Sequence, residues 1–274
     1  MEIDVKDAVR DKYASIAAKR SNKPSDDEAA LAHAFGYSDG ELDSIPEEAN
    51  LGVSCGNPTA MASLLPGEVV VDLGSGGGLD VFLAAQKVGS AGKSIGIDMT
   101  PEMVALANKN LSTSSFDNVE FYLADIEAMP LESGSVDCVI SNCVLNLVPD
   151  KQKAFAEIFR VLKAGGRLVV SDIALHQIPP PEREESVRAL TGCLAGAILT
   201  STYREMLEDA GFASVEITDT KSDLNVYRAL RAPDAENASP APSGSCCGDV
   251  GEVTQDSDFD VNEYAASVRV LAIK

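Results

Sequence analysis

Apolar positions along this chain fall into two periods that alternate. Five short runs, "VVVDLG" (Val69–Gly74), "SIGIDM" (Ser94–Met99), "VEFYLAD" (Val119–Asp125), "VDCVISN" (Val136–Asn142) and "RLVVSDI" (Arg167–Ile173), are too short and too apolar for surface helices and predict buried strands. Between them the spacing is helical. Leu79–Lys87 is one such stretch, and a second begins at Pro101, with Thr100 as its N-cap. A third, from Lys151, puts Ala154, Ile158 and Val161/Leu162 on one face and is expected to end at Gly165 and Gly166. Strands alternating with helices predict an α/β fold, a mostly parallel sheet with helices on both faces.

The flanks are less regular. Residues 4–19 have helical spacing, "SNKPSDDEAA" is a loop, and "GVSCGNP" (Gly52–Pro58) is a turn-rich loop carrying Cys55. Past Ile173, "PPPEREESVRALTGCLAGAIL" predicts a Pro-led helix with small residues around Cys193. "TSTYREMLEDAGF" predicts a helix that stops at Gly211, and "SVEIT" a strand. "RAPDAENASPAPSGSCCGDVG" has linker composition and carries Cys246 and Cys247; "SVRVLAIK" alternates as a final edge strand would. The expected division is an N-terminal helical segment over 1–50, a ligand-binding domain over 51–175 and a C-terminal region over 176–274 with a cysteine-containing loop.

Charge narrows the ligand. The 274 residues carry a formal net charge of −21. Such a field repels nucleic acid and anionic membranes and disfavours strongly anionic substrates, but not neutral or cationic ones. The plain reading is a solvated acidic surface. No apolar run is long enough to span a bilayer, and the first twenty residues are charged throughout, unlike a secretory signal, so the expected location is the cytoplasm. Six cysteines in that compartment are expected to be reduced; with no C-x-x-C pair and two histidines, a structural zinc site is a weak reading.

The first strand leads into D-x-G-x-G-x-G, with Asp72, Gly74, Gly76 and Gly78, and then into a helix. Glycines there let backbone approach a ligand closely. Asp98 ends the next strand, where a carboxylate can accept both hydroxyls of a ribose. Asp125 ends the third, where one can accept from an adenine amino group. Dinucleotides and S-adenosylmethionine both use this arrangement. The loop is not the G-x-G-x-x-G of dinucleotide sites, and three acids at three strand ends suit a cationic sulfonium without phosphates. The plain alternative is a tight βα turn with surface acids. Cys143, in "SNCVLNLVPDK", sits where the fourth strand ends, the edge at which open α/β sheets bind ligands.

With these residues in view, the chain resembles the arsenite methyltransferases within the class I S-adenosylmethionine-dependent methyltransferases. The resemblance rests on "EEANLGVSCGNPTAMASLLPGEVVVDLGSGGGLDVFLAAQKVG", "GIDMTPEMVALA", "SNCVLNLVPDK" and "GCLAGAI", over roughly half the chain. It implies a Rossmann-like fold with a C-terminal appendage. Cys143 and Cys193 would hold arsenic(III), and Asp72, Gly74, Ser75, Gly76, Asp98, Met99, Asp125, Ile126 and Asn142 would contact S-adenosylmethionine. The sequence departs from the family at Val81, where members commonly carry a cysteine, and in placing its vicinal pair near the carboxyl terminus. Position 81 follows the glycine loop, so its side chain is expected to be able to face the reaction space; with valine there, Cys55 or an external thiol would take over the redox step.

The chemistry suits the residue types. Arsenic(III) is soft and prefers thiolates. Bound to two or three sulfurs it keeps a lone pair that can attack a sulfonium methyl, and no proton has to be removed. The substrate would be arsenite or its thiol conjugate, with a thiol reductant of the thioredoxin or glutathione type to restore the cysteines. Cys138, inside a strand, reads as packing; Cys55 reads equally as loop residue or as participant. The competing functions are methylation of a small organic molecule, which usually needs a base that the sequence does not offer convincingly, and metalloid binding without catalysis.

Overall fold

The computed structural model describes residues 5–19, 32–33, 35–54, 56–181, 196–225 and 260–274. Among them, helices α1 (Val5–Lys19), α2 (Asp39–Asp43) and α3 (Pro58–Met61) precede strand β1 (Val69–Leu73). Then follow α4 (Leu79–Val88), β2 (Lys93–Asp98), α5 (Pro101–Ser112), β3 (Val119–Leu123), β4 (Val136–Asn142), α6 (Lys151–Val161), β5 (Leu162–Leu175), α7 (Thr200–Asp209), β6 (Ser214–Asp219) and β7 (Ala265–Ile273). The seven strands form one sheet in the order β3-β2-β1-β4-β5-β7-β6. β1 to β5 run parallel, and β7 is antiparallel to both of its neighbours.

The five expected strands and the helices between them are therefore present. The apolar runs of β1, β2 and β4 are buried on both faces, as a sheet sandwiched by helices requires, while β3 at one edge is half-buried. Val70, Val71 and Leu73 of β1 and Val136, Val139 and Ile140 of β4 have no more than trace exposure. On one face α6 and α7 meet through Phe155 and Tyr203, whose ring centroids are 5.3 Å apart. On the other, Phe82 of α4 sits 5.8 Å from Phe121 in an edge-on contact.

Two expectations are corrected, and a third, Thr100 as N-cap, holds in position. Gly165 and Gly166 do not end α6. The helix stops at Val161, where Leu162 already has extended φ and ψ of −66° and 140° and starts β5. The glycines instead absorb an irregularity in that strand: the register against β4 jumps from Val136↔Leu162 to Cys138↔Arg167, and Gly165 takes φ +76° there. "SVRVLAIK" is not an edge strand, because β7 lies between β5 and β6 and is buried along most of its length. The edge is β6, whose half-buried and exposed residues alternate strictly. Thr100 stands at the N-cap of α5, but its side chain makes no capping bond; its backbone N–H donates to Asp98 Oδ1 at 2.8 Å. The expected loop over 21–30, the helix around Cys193 and the linker carrying Cys246 and Cys247 lie outside the described residues, apart from their first or last few positions.

Candidate active site

The strand order reverses at β1. The chain moves outward from β1 to β2 and β3, then returns to place β4 on β1's other side. Ligands in open α/β sheets bind in the crevice that this reversal opens at the strands' carboxyl ends. Leu73 is paired with Ser141, so the glycine loop leaving β1 faces Asn142 and Cys143 leaving β4. The contact is tight enough to dictate sequence: a Cβ on Gly74, whose φ is +66°, would lie 2.3 Å from Val144 Cγ2.

Two adjoining cavities occupy the crevice. The larger, about 800 Å³ including its open mouth, is lined by Gly74, Gly76, Asp98, Met99, Asp125, Ile126, Asn142 and Cys143 among others. The smaller, about 410 Å³, is lined by Asp72, Ser75 and Asp80 and shares Gly74, Gly76 and Asn142 with the first. All nine residues expected to contact the cofactor thus line one cavity or the other, and Cys143 lies on the same wall.

Each acid is held in its own way. Asp98 is 8% exposed and spends one lone pair per oxygen on backbone, accepting from Gly76 N–H at 2.9 Å and Thr100 N–H at 2.8 Å. Burial raises its pKa despite those bonds. Asp72 is pushed well above the usual carboxylate range by burial, then by the nearby charges of Asp80 and Asp98. For Asp125 burial acts upward, but the Lys6 ammonium at 2.6 Å and the Glu127 N–H at 2.9 Å win and hold its carboxyl below the ordinary value. Lys6 also pairs with Glu127 at 2.8 Å. It belongs to α1, which with Val9 and Tyr13 walls the larger cavity.

These features fit S-adenosylmethionine better than a dinucleotide. The titratable groups beside the glycine loop are carboxyls (Asp72, Asp80, Asp98) whose pKa values burial raises, so a bound cation would be favoured there and a pyrophosphate would not. The cation that does line the crevice, Lys6, is engaged by two carboxylates. Met103 and Ile126 supply an apolar surface for a base, and Asp98 and Asp125 put carboxyl oxygens on the same wall.

Sequence reasoning missed a buried network behind Asn142. Tyr37 Oη donates to Asp80 at 2.9 Å to Oδ1 and 3.0 Å to Oδ2. Asn142 Nδ2 donates to Tyr37 Oη at 3.1 Å and to the Gly56 carbonyl at 2.7 Å. Burial pushes Asp80 up to about 7, with the Tyr37 and Asn142 hydrogen bonds acting the other way. The one available signal was an acid in the first turn of an otherwise apolar helix; nothing marked Tyr37 or Lys6.

The cysteines divide sharply. Cys143 is 4% exposed and has φ +59°, a left-handed conformation that costs a non-glycine residue on the order of 1 kcal/mol. Its N–H donates to the Ser171 carbonyl at 2.8 Å. Its sulfur is disulfide-bonded, so the expectation of reduced cysteines does not hold at this position. Cys138 is a free thiol, wholly buried among Val70, Val88 and Ile140 and pushed up to about 12 by burial, so it packs as expected. Cys55, Cys193, Cys246 and Cys247 lie outside the described residues. The neighbours of Cys55 are placed: Ser54 lines the smaller cavity, and Gly56 is so close to β5 that a Cβ on it would lie 1.9 Å from Ser171 Oγ. Val81 does not face the reaction space as expected. It is fully buried in a cluster with Leu79, Phe82 and Tyr37 and lines neither cavity, because its turn of α4 packs inward on the sheet. Among the described residues no histidine lines either cavity; His176 is exposed, 4.0 Å from Asp219.

Residues 64–211 match the methyltransferase domain family, more than half of the chain, and the chain belongs to that family. Within it, the chain is similar to an arsenite methyltransferase from Halobacterium salinarum, 42% identical over 229 residues, covering 78% of this chain and 59% of the relative. It is also 31% identical to a ubiquinone/menaquinone biosynthesis C-methyltransferase from Francisella tularensis, covering 57% of this chain and 71% of that one. Among solved structures it is similar to an arsenic(III) S-adenosylmethionine methyltransferase from Chlamydomonas reinhardtii, with TM-score 0.55, 25% identity, and coverage of 92% of this chain and 73% of the other. The chain spans about 40 to 60% of the length of the arsenite methyltransferases it matches.

Proposed function

We propose that this protein transfers methyl groups from S-adenosylmethionine to arsenic(III) held by cysteine thiolates. The observation that carries the reading is Cys143, a thiol position on the wall of the same cavity as Gly74, Asp98 and Asp125. The likeness to arsenite methyltransferases supports it independently.

Asp98 would accept the ribose hydroxyls and Asp125 the adenine amino group, while Met103 and Ile126 flank the base. Asp72 and Asn142 would face the amino-acid end. Bound there, S-adenosylmethionine supplies an activated methyl on a sulfonium. Cys143 and Cys193 would hold arsenic with its lone pair turned toward the methyl. Because that lone pair is the nucleophile, no side chain has to take a proton, which suits a cavity without a histidine among the described residues. The chain's contribution is then orientation, which alone can supply about 7–11 kcal/mol.

The transfer oxidises arsenic from the trivalent to the pentavalent state. Two thiolates return the pair of electrons by closing a disulfide, and an external thiol of the thioredoxin or glutathione type reopens it. The disulfide at Cys143 suits a sulfur that cycles in this way, and Cys55, in a loop fastened to Asn142 through Gly56, is the partner we favour. Among the described residues no helix is long and apolar enough to cross a membrane; a reducing cytoplasm would keep the thiols competent. The chain would divide at residues 50 and 175, with substrate binding in the C-terminal part.

The test is incubation with arsenite, S-adenosylmethionine and a thiol, followed by chromatographic speciation of arsenic. Methylated arsenicals are expected. Binding of arsenite without product would point to sequestration, and product only with a small organic acceptor would point to the other methyltransferase class.

A further inference from the structure

Behind the cavity wall lies a second buried polar cluster that the chemistry above does not use. Asn146 is 3% exposed and sits in the short turn Leu145–Leu147 that follows Cys143. Its Nδ2 donates to Asp172 Oδ1 at 2.8 Å and to the Ile173 carbonyl at 2.7 Å. The same Asp172 oxygen accepts the Ile173 N–H at 2.9 Å. From the other side, the buried Lys151 ammonium donates to the carbonyls of Asn146 at 3.2 Å and Val148 at 3.0 Å. One asparagine therefore ties the turn after Cys143 to β5, while its carbonyl is held by the first residue of α6.

The cluster is costly. Asp172 Oδ2, Asn146 Oδ1 and Tyr203 Oη are buried without a hydrogen-bond partner. Each such group costs about 1–3 kcal/mol, so apolar side chains would connect a strand to a helix more cheaply. What the polar pair adds is a single geometry. It is also crowded from outside: a Cβ on Gly196 would lie 1.8 Å from the Asn146 carbonyl oxygen, although the backbone of Gly196 is in a region open to any residue. Cys143 is thus fixed at both ends. Its N–H is held by Ser171, and the turn after it is held by the next two residues of the same strand, Asp172 and Ile173.

We infer that the Asn146–Asp172 pair, with Gly196 packed on it, is a positioning device for the Cys143 sulfur, setting where a thiolate-bound arsenical sits in the cavity. This rests on the proposed function. Neither Asn146 nor Asp172 lines either cavity, so the pair acts through the turn it holds and not by touching a ligand.

The test uses the full chain, reduced with a phosphine, in four forms: unmodified, Asp172→Ala, Asp172→Asn and Gly196→Ala. Phenylarsine oxide, which closes a ring on two thiolates, reports the arsenical site once Cys246 and Cys247 are changed to Ser in all four forms, which removes the vicinal pair as a second capture site. S-adenosylmethionine calorimetry reports the cofactor site, and circular dichroism confirms that each form is folded. Asp172→Ala and Gly196→Ala should weaken phenylarsine oxide binding about tenfold, the scale of one misplaced hydrogen bond, with cofactor affinity within about twofold. Asp172→Asn keeps the acceptor and should bind within about threefold of the unmodified protein. A role confined to stability would lower the melting temperature and leave the arsenical affinity of the folded protein unchanged, which overturns the inference. So would equal losses at both sites, or failure of Asp172→Asn to rescue. Should Asp172→Ala not fold, Gly196→Ala and Asp172→Asn still decide. If the unmodified protein binds no phenylarsine oxide, the proposed function fails and the inference with it; if it binds and the variants match it, only the inference fails.

Discussion

Asp172 should make the stability of this protein fall as pH rises from about 4 to about 7. The carboxyl is wholly buried, and burial raises its pKa from the ordinary 3.8 to about 7. The groups facing it are few. Lys151 on α6 pulls the other way with the Ile173 N–H and Asn146, Tyr203 on α7 is itself pushed well above its usual range, and Oδ2 has no donor. Below about pH 4 both folded and unfolded chains carry the proton, and the group is neutral to stability. Between about pH 4 and about pH 7 the unfolded chain releases the proton and the folded chain keeps it. The unfolded state then binds fewer protons, so stability declines with rising pH and levels off above about pH 7. Three pH units at 1.4 kcal/mol each make the loss about 4 kcal/mol. Asp172→Asn removes the titration and keeps the shape: the amide oxygen can accept from Asn146 and Ile173, and the new NH2 replaces an oxygen that had no donor to lose. Urea unfolding of both proteins at about pH 4.5, about pH 6 and about pH 7.5 measures the difference by linear extrapolation. The variant should gain on its parent by about 3 kcal/mol between about pH 4.5 and about pH 7.5, since about 1 kcal/mol of the loss already lies below about pH 4.5. Repulsion within a chain of net charge −21 affects both proteins alike and cancels in the comparison. Parallel stability curves would refute the reasoning, because the carboxyl would then ionise in the folded state as it does in the unfolded one.

Four further outcomes are expected. Asp98→Ala loses the acceptor for Gly76 N–H and for the ribose, and calorimetry should show S-adenosylmethionine binding weaker by about 1.5–3 kcal/mol per charged hydrogen bond lost. Cys143→Ser should abolish arsenic methylation in the speciation assay while cofactor affinity stays within about twofold, since a hydroxyl does not replace a thiolate for a soft centre. Val81→Cys should leave the series of methylated products unchanged at every reductant concentration, because position 81 is buried in the α4 cluster and lines neither cavity. Tyr203→Phe should be neutral or stabilising by up to about 1 kcal/mol in thermal unfolding, since it removes a buried hydroxyl that has no partner.

How much of this was legible in the sequence depended on whether a signal was local. The strands β1, β2 and β4 were, because a sheet buried on both faces leaves a continuous apolar run, and a run has ends. β7 was misread for the same reason. Its alternation is real in the letters, but Ser267 and the alanines are small enough to be buried beside the valines, so the strand fits between two neighbours instead of along an edge. The end of α6 was misread because Gly165 and Gly166 stop a helix in most contexts. Here the extended geometry already begins at Leu162, and the glycines absorb the mismatch between β4 and β5.

The site divides along the same line. Residues that follow a strand could be placed from the sequence, since the sheet's parallel register carries every strand end to one edge; Gly74, Asp98 and Cys143 were found that way, and Asn142 through the family resemblance. The partners that tune them could not. Lys6 meets Asp125 from 119 positions away, and Asn142 meets Tyr37 from 105. No periodicity encodes such pairs, because each depends on where a separate helix or loop comes to rest on the assembled sheet. Asn146 is the sharper case. It lies three residues after Cys143 in "SNCVLNLVPDK", yet its two hydrogen bonds go to Asp172 and Ile173, so its role exists only once β4 and β5 are side by side. Local pattern therefore reports which groups reach the crevice, and tertiary contacts decide how rigidly each is held there. For a reaction that depends on aiming a lone pair at a methyl group, that second quantity is where sequence changes outside the crevice would be felt.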